Sequence, residues 1–455
     1  MGNGPQTLRP TQYYLPSLRH LSGGLAHSDS VAPHNQPMAY PRNMKQVFHN
    51  LPRDGRFVLS ARGVSTFVES MLVIGLILRV QISGAGPYAN AALMIALAAP
   101  AVLTMHWAGR VADRLDSRKI LLAAVTLQLV ACLVLATPWT AHPGWLMYCA
   151  CLAFQVGYSF ATPVWMALIP RIVGEDGVQG LAAAQMLIAS FTAPLGAALS
   201  GVLVGAFGTQ LVPLVAVTLL VPVGVMMRAI KTRRQVQAEQ TDSTSTPGGL
   251  GFIFRDRVLA VVLIGTVVAL LVIQGVNVVE VFLVRDDLGA TPAQYGFTEV
   301  FVAIGTAAAA VAVTRLTNDT RRAAAITIGF ATCALVCVAI SQVGSFGAYL
   351  VMATIIGAGN ALANGALGPL FLLRTLETHR GAVIAAFTGV TSAASIIALL
   401  VGGLIGAWLG PRDTFLAGGL MAIPVILIMG LLAIPAARTL AQPTPPATSA
   451  QAFTG

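Results

Sequence analysis

The chain has 455 residues, of which 56% are apolar and 10% charged, against roughly 25% charged in an ordinary soluble domain. So little charge cannot cover a soluble surface of this size, and the 45 Gly and 25 Pro are scattered through apolar stretches rather than gathered in a block. An ordinary soluble enzyme, a disordered chain and a collagen-like fibre are excluded, which leaves an integral membrane protein whose net charge of +10 must be explained by position.

Residues 1–52 are polar and rich in Pro, His and Asn, and a disordered tail is expected there. They hold no apolar run long enough for a signal peptide. Gln6 stands where a myristoylation signal after Gly2 needs Ser or Thr. Met44 is a plausible alternative start, since the basic stretch after it leads directly into the first apolar run. Twelve such runs follow, at about 57–78, 89–108, 120–137, 145–169, 182–205, 210–227, 258–282, 294–313, 323–341, 347–372, 381–407 and 414–435. Their lengths suit helices of roughly 20 residues crossing hydrocarbon. Strand alternation is absent, so only helices fit. The expected organisation is a six-helix bundle over 53–229, a linker over 230–257, a second bundle over 258–437 and a disordered tail over 438–455. Cys132, Cys149, Cys151, Cys333 and Cys337 all fall inside apolar runs, without metal-ligand spacing, and read as small core residues.

The charges sort by side. The tails and alternate loops hold 23 of the 27 Lys and Arg, whereas the opposite loops hold only Arg79, Arg285 and Arg412, and Arg62 lies within span 1. This bias places both termini and the linker in the cytoplasm. It accounts for the basic balance without a nucleic-acid partner. Trp139, Trp145 and Trp408 fall at the predicted outer ends, where interfacial anchors belong.

A fixed offset of 205 residues aligns Gly84-Ala85-Gly86-Pro87 with Gly289-Ala290-Thr291-Pro292 and Arg110 with Arg315. With six spans on each side of the linker, this indicates a duplicated bundle whose halves are parallel repeats.

The stretch Gly109-Arg110-Val111-Ala112-Asp113-Arg114, followed by Arg118-Lys119, resembles the Gly-x-x-x-Asp-Arg loop signature of the major facilitator superfamily. Thr162-Pro163 through Pro170, Ala193-Pro194-Leu195-Gly196, Gly249 to Arg255, Phe282 to Gly289 and Arg380 to Val383 are similar to its drug-efflux and siderophore-export branch, the enterobactin-exporter-like proteins. The likeness covers about residues 55–435. It implies an all-α integral membrane protein of twelve transmembrane helices in two six-helix bundles. It also implies a cytoplasmic latch of Gly109, Asp113, Arg114 and Arg118, in which Asp113 meets the start of helix 11 near Gly381 and holds an outward-open state. Physically, Gly109 permits close helix approach, and an Asp at a helix N-terminus opposes the dipole. The plainer alternative is that Arg114, Arg118 and Lys119 only set topology. Helix 4 carries Gln155 and Gly157 but lacks the Arg of the drug-antiporter pattern, so coupling through a helix 4 arginine is not expected.

Four charges fall clearly inside the spans: Arg62, Glu69, Glu280 and Glu299. An intramembrane ion is costly and is a functional candidate by default. Glu69 lies 12 residues into the first predicted span, about 18 Å along the axis. Arg62, Ser65 and Thr66 continue a polar stripe toward it. It is the first proton-coupling candidate, against the alternative of a buried Glu held by a neighbouring helix. Glu280 and Glu299 are further candidates at similar depth, although Glu280 also reads as interfacial. Arg62 either lines a cavity or snorkels to the cytoplasmic end. The repeat sets Gln274 opposite Glu69, which predicts ion chemistry on the first half and neutral hydrogen bonding on the second. Gln155, Tyr158 and Trp165 on helix 4, Gln274 and Asn277 on helix 7, and Asn360 and Asn364 on helix 10 are substrate-cavity candidates; helix glue and core packing are the alternatives.

The expected function is export of amphiphilic small molecules by alternating access with proton antiport, by a multi-pass protein of the plasma membrane. A monomer working without cofactor or metal is expected. Uptake through the same fold is the first alternative. A membrane-embedded transferase or a non-transporting sensor is less favoured: Asp286-Asp287 lacks a second acidic cluster, and His106 and His379 stand alone.

Overall fold

The computed structural model describes residues 52–114, 116–229 and 249–439, with the backbone alone over 105–114 and at 175, 176, 179 and 439. The expected N-tail (apart from Pro52), residues 230–248 of the linker and nearly all of the C-tail lie outside the described residues.

Twelve helices are long and apolar enough to cross a membrane. In chain order they are α1 (Arg53–Ile82), α2 (Gly86–Arg114), α3 (Ser117–Leu135), α4 (Trp145–Gly174), α5 (Gly180–Phe207), α6 (Leu211–Ala229), α7 (Arg257–Phe282), α8 (Pro292–Val313), α9 (Asp319–Ser341), α10 (Phe346–Arg374), α11 (Arg380–Leu409) and α12 (Pro411–Thr439). All twelve predicted spans are found, mostly extended by several residues. Hydropathy marks the hydrocarbon-crossing part, whereas polar caps carry the helices beyond it. Asp256 caps α7 by accepting from the Val258 and Leu259 amides, and Thr291 with Gln294 forms a reciprocal capping box on α8. The last seven residues of the expected linker-side break before Asp256 form a short helix, Gly249–Arg255, which packs on α11.

The even number of crossings puts both ends of the described chain on one face, here the terminal face; the other is the distal face. The halves repeat each other. In the first, α1 packs on α5 and α6, α2 on α4, and α3 on α4 and α6; in the second, α7 packs on α11 and α12, α8 on α10, and α9 on α10 and α12. The distal turns repeat too. Gly208 before α6 has φ 82° and ψ 174°, and Gly410 before α12 has φ 80° and ψ 171°, a conformation that L side chains avoid. Gly84 and Gly289, aligned by the sequence offset, both have positive φ.

The halves meet through α2 on α11 and α5 on α8. Both contacts rest on small residues near the distal ends: Gly296 of α8 lies on Ala197 and Gly201 of α5, and Gly403 of α11 on Ala91 of α2. Such residues let backbones approach where lipid supplies no hydrophobic driving force between helices. Elsewhere the outer surface is apolar, with Leu133, Leu214, Val225, Ile328 and Leu431 exposed. Four of the five Cys are buried as expected. Cys149 instead points outward from α4, because an apolar run facing lipid has no need of an all-buried face.

Candidate functional site

Glu69 is the seventeenth of the thirty residues of α1, and it is half-buried. Gln155 of α4 donates from Nε2 to its Oε1 at 3.4 Å. The Tyr158 hydroxyl lies beside the same carboxylate and beside Thr66. The spacing of α1 explains the cluster: Arg62, Thr66 and Glu69 recur at four and three, so all turn toward α4, where Gln155, Tyr158 and Thr162 recur at three and four. The next residue of Glu69's own turn, Ser70, is anchored on α5 by donating to the Ala193 carbonyl at 2.7 Å.

Arg62 does not snorkel. Its guanidinium lies 5.1 Å from the Tyr158 ring centroid and donates to Thr162 Oγ1 at 3.3 Å. α4 runs antiparallel to α1, so reaching Tyr158 takes the charge deeper than Thr162, away from the terminal face. The reason is local: an aromatic face and a hydroxyl on the adjacent helix replace water as partners. The basic group missing from α4 thus arrives from α1. Ser65 and Thr66 are buried, Thr66 beside the Tyr158 hydroxyl, rather than open to a cavity. Trp165 does not line a cavity at all. It is 1% exposed and packs with Val58, Ala61, Leu121 and Leu168, because its step along α4 turns it into the core of the first half.

The second half holds a separate polar group. Glu280 of α7 accepts a hydrogen bond from the buried Tyr349 of α10 at 2.6 Å, and it interacts electrostatically with Glu299 of α8. Tyr295 is buried beside both. Glu280 is thus tied to α10 rather than left free at the end of its helix. A π turn over Leu283–Asp287 carries the helix beyond its predicted end at residue 282. Glu299 is exposed as a residue, with Tyr295 and Glu280 beside its carboxylate. Glu280 and Glu299, the further carboxylate candidates of this half, thus lie together nearer the distal face than Gln274. Gln274 and Asn277 pair with each other on α7 at 3.2 Å, and Asn364 donates to Asn360 one turn earlier on α10. These bonds run within one helix, so the residues do not act as glue between helices; both pairs are at least partly open.

Among the described residues, three polar contacts join the halves, all near the distal face. Gln81 of α1 donates to Asp286 at 2.6 Å and accepts from Arg285 Nε at 3.3 Å, and Asn90 of α2 donates to the Val278 carbonyl at 2.7 Å. None was singled out from the sequence. A lone Asn in an apolar run was the available signal for Asn90. Gln81 and Arg285, at a span end, look like ordinary interfacial residues. On the terminal face, the half-buried Arg374 joins Asp256 at 2.9 Å and Asp319 at 3.1 Å, tying the ends of α7, α9 and α10. Arg374 looked like one more topological charge. Of the expected latch, the side chains of Gly109, Asp113 and Arg114 lie outside the described residues; Arg118 belongs to the first turn of α3, where its amide donates to the Asp116 cap.

Two repeated six-helix halves that meet near one face, each holding carboxylates among its own helices, are the architecture of a major facilitator-type transporter. Solved structures of the same fold include a nucleoside transporter, NupG (TM-score 0.68, 12% identity, 83% of this chain and 98% of that one), and a bacterial homologue of the iron transporter ferroportin in an inward-facing state (TM-score 0.64, 15% identity, 83% and 98%). A POT family transporter in complex with 5-aminolevulinic acid is similar as well (TM-score 0.66, 14% identity, 85% and 97%). In sequence, the chain is 22% identical over 366 residues to YfiS of Bacillus subtilis (strain 168), an MFS-type transporter, covering 76% of this chain and 84% of that protein. The profile of the transmembrane secretion effector family matches residues 67–370, and the chain belongs to that family.

Proposed function

We propose that the protein is a secondary active exporter of amphiphilic small molecules, working by alternating access and driven by inward proton flow across the plasma membrane. In this reading the terminal face is cytoplasmic, and the contacts of α2 on α11 and α5 on α8 close the distal side while the terminal side receives substrate. A single chain, with both halves, is the working unit. Glu69 exchanges protons, and Glu280 with Glu299 forms a second, distal carboxylate pair. Open faces of Tyr158, Gln274, Asn277, Asn360 and Asn364 contact substrate.

The arrangement of Glu69 and Gln155 carries the proposal. An ionised Glu69 accepts from the Gln155 amide nitrogen. Gln155 Oε1, by contrast, is buried with no partner among the described residues. A protonated Glu69 can donate to that oxygen once the amide turns over. One glutamine therefore serves both protonation states of the carboxylate at little cost, as a proton-exchanging site requires. Arg62, held over Tyr158, keeps a positive charge near the ionised form. Export rather than uptake rests on the resemblance of the loop and helix segments to efflux proteins and on the family's description as a secretion effector. Uptake of a polar solute is the second reading, and it draws on the likeness to the nucleoside and POT family transporters.

The deciding experiment uses membrane vesicles of known orientation with an internal pH probe. Substrate movement should run opposite to protons, and Glu69→Gln should abolish the coupled flux while leaving the protein in the membrane. Full coupled export by that variant across a range of pH would sink the proton assignment. Co-directional movement of substrate and protons would sink antiport and favour uptake.

A further inference from the structure

A groove of about 490 Å³ lies on the outside of the bundle, floored by α2 and walled by α4 and α11. Its lining is apolar apart from Tyr88 and Tyr148, and includes Ala92, Ala99, Leu400 and Leu404. The groove faces lipid and not the interior. Asn90 of α2 points inward, toward the Val278 carbonyl of α7. At about 100° per residue, Ala92, Ile95 and Ala99 lie within about 40° of the opposite direction. Leu400 and Leu404 are 51% and 54% exposed, which an apolar wall in contact with acyl chains permits.

Its length is informative. From Tyr88 to Ala99 the helix rises about 16 Å, close to half of a hydrocarbon core of roughly 30 Å. The groove thus spans one leaflet, the distal one. It begins at two tyrosines, the residue type that sits at headgroup level. Tyr148 donates to the Ala89 carbonyl at 3.2 Å and closes the wall on the α4 side, while Tyr88 is 50% exposed. The alanines of α2 leave the trough that larger side chains would fill. The groove is also continuous with the seam between the halves, where Gly403 of α11 meets Ala91.

We propose that this groove holds a single acyl chain of a distal-leaflet membrane lipid across the seam between α2 and α11. The floor and one wall belong to the first half and the other wall to the second. The site is therefore complete only while the distal ends are together, and the bound chain favours that arrangement. A lipid chain is the fitting occupant because length, depth and polarity match one leaflet and because no charged group is present to hold a soluble ligand.

The test places the full chain in nanodiscs of phosphatidylethanolamine and phosphatidylglycerol with a trace of phospholipid carrying a diazirine on its acyl chain. After photolysis, labelled peptides are mapped by mass spectrometry. Label should be enriched on the 88–99 and 400–404 segments over lipid-facing positions of similar depth, such as Leu133 of α3 and Leu214 of α6. Ala92→Leu and, separately, Ala99→Leu should remove the enrichment while labelling at Leu133 and Leu214 stays unchanged. Even labelling of all lipid-facing helices, or enrichment that survives both substitutions, would overturn the site. Because one variant replaces an exposed alanine, a folding defect in the other does not leave the outcome open.

Discussion

Glu69 and Arg79 sit on the same helix and illustrate two ways in which a charge is accommodated in this protein. Glu69 stays half-buried with a long bond from a glutamine. Arg79 is 1% exposed and anchored: its guanidinium donates to the carbonyls of Leu135 at 2.9 Å, Thr140 at 3.2 Å and Thr209 at 2.8 Å. It thereby holds the distal end of α1 to the turns that follow α3 and α5. Arg412 does the same in the second half by donating to the carbonyls of Ser341 and Val343. Hydrogen bonds to a charged group contribute about 1.5–3 kcal/mol each, and Arg79→Ala leaves three carbonyls short of a donor. Because the cost of burying the charge is removed with it, the expected loss of stability is below that sum, about 3 kcal/mol, read as a lower unfolding midpoint in detergent. Transport per folded molecule should change little. Neither role was legible in full beforehand. Depth and stripe pointed to Glu69, whereas Arg79 read only as a scarce distal charge, since its partners are backbone carbonyls that every sequence contains.

At the scale of helices, the contact of α5 on α8 is set by the absence of side chains. A Cβ on Gly296 would stand 2.7 Å from the Ala197 carbonyl oxygen and 3.0 Å from the Gly201 Cα. Overpacking of this kind costs about 1–3 kcal/mol, and roughly 1.4 kcal/mol changes a population tenfold. Gly296→Val should therefore shift the protein toward separated distal ends, seen as longer distances between spin labels on the distal ends of α5 and α8. Gly368→Val, where a Cβ meets nothing within 4 Å, should leave those distances unchanged. An unchanged distribution in Gly296→Val would show that this contact does not hold the distal side closed. Helix number, order and approximate limits were readable from hydropathy, because burying a backbone in hydrocarbon demands helices of nearly fixed length. Which faces meet was not readable. Gly occurs throughout the spans, and only packing distinguishes the Gly that admits a neighbour from the Gly that admits lipid.

For the whole molecule, orientation is the property on which the direction of transport depends. The distal loops carry three of the 27 basic residues, and all three are engaged: Arg79 and Arg412 as above, and Arg285 with Gln81 across the halves. An extracellular distal face predicts that a Cys placed at His142 reacts with a membrane-impermeant maleimide in intact cells, while one at Arg321 reacts only after permeabilisation. The exposed Cys149 is replaced by Ser in both. The reverse pattern would invert the proposed direction of export.

Composition and the spacing of apolar runs were sufficient to specify a membrane protein of twelve helices in two repeated halves, because the bilayer imposes length and polarity on every span separately. The sidedness of charge and the mid-span position of Glu69 were likewise local facts, readable one span at a time. Folding together decided what lies between spans: that Arg62 turns inward onto Tyr158, that Trp165 belongs to the core, that Glu280 and Glu299 come together, and that Gln81 and Arg285 bridge the halves. These are pairings between residues far apart in the chain. Their energies depend on distance and on the loss of competing partners, and neither exists until the helices have packed.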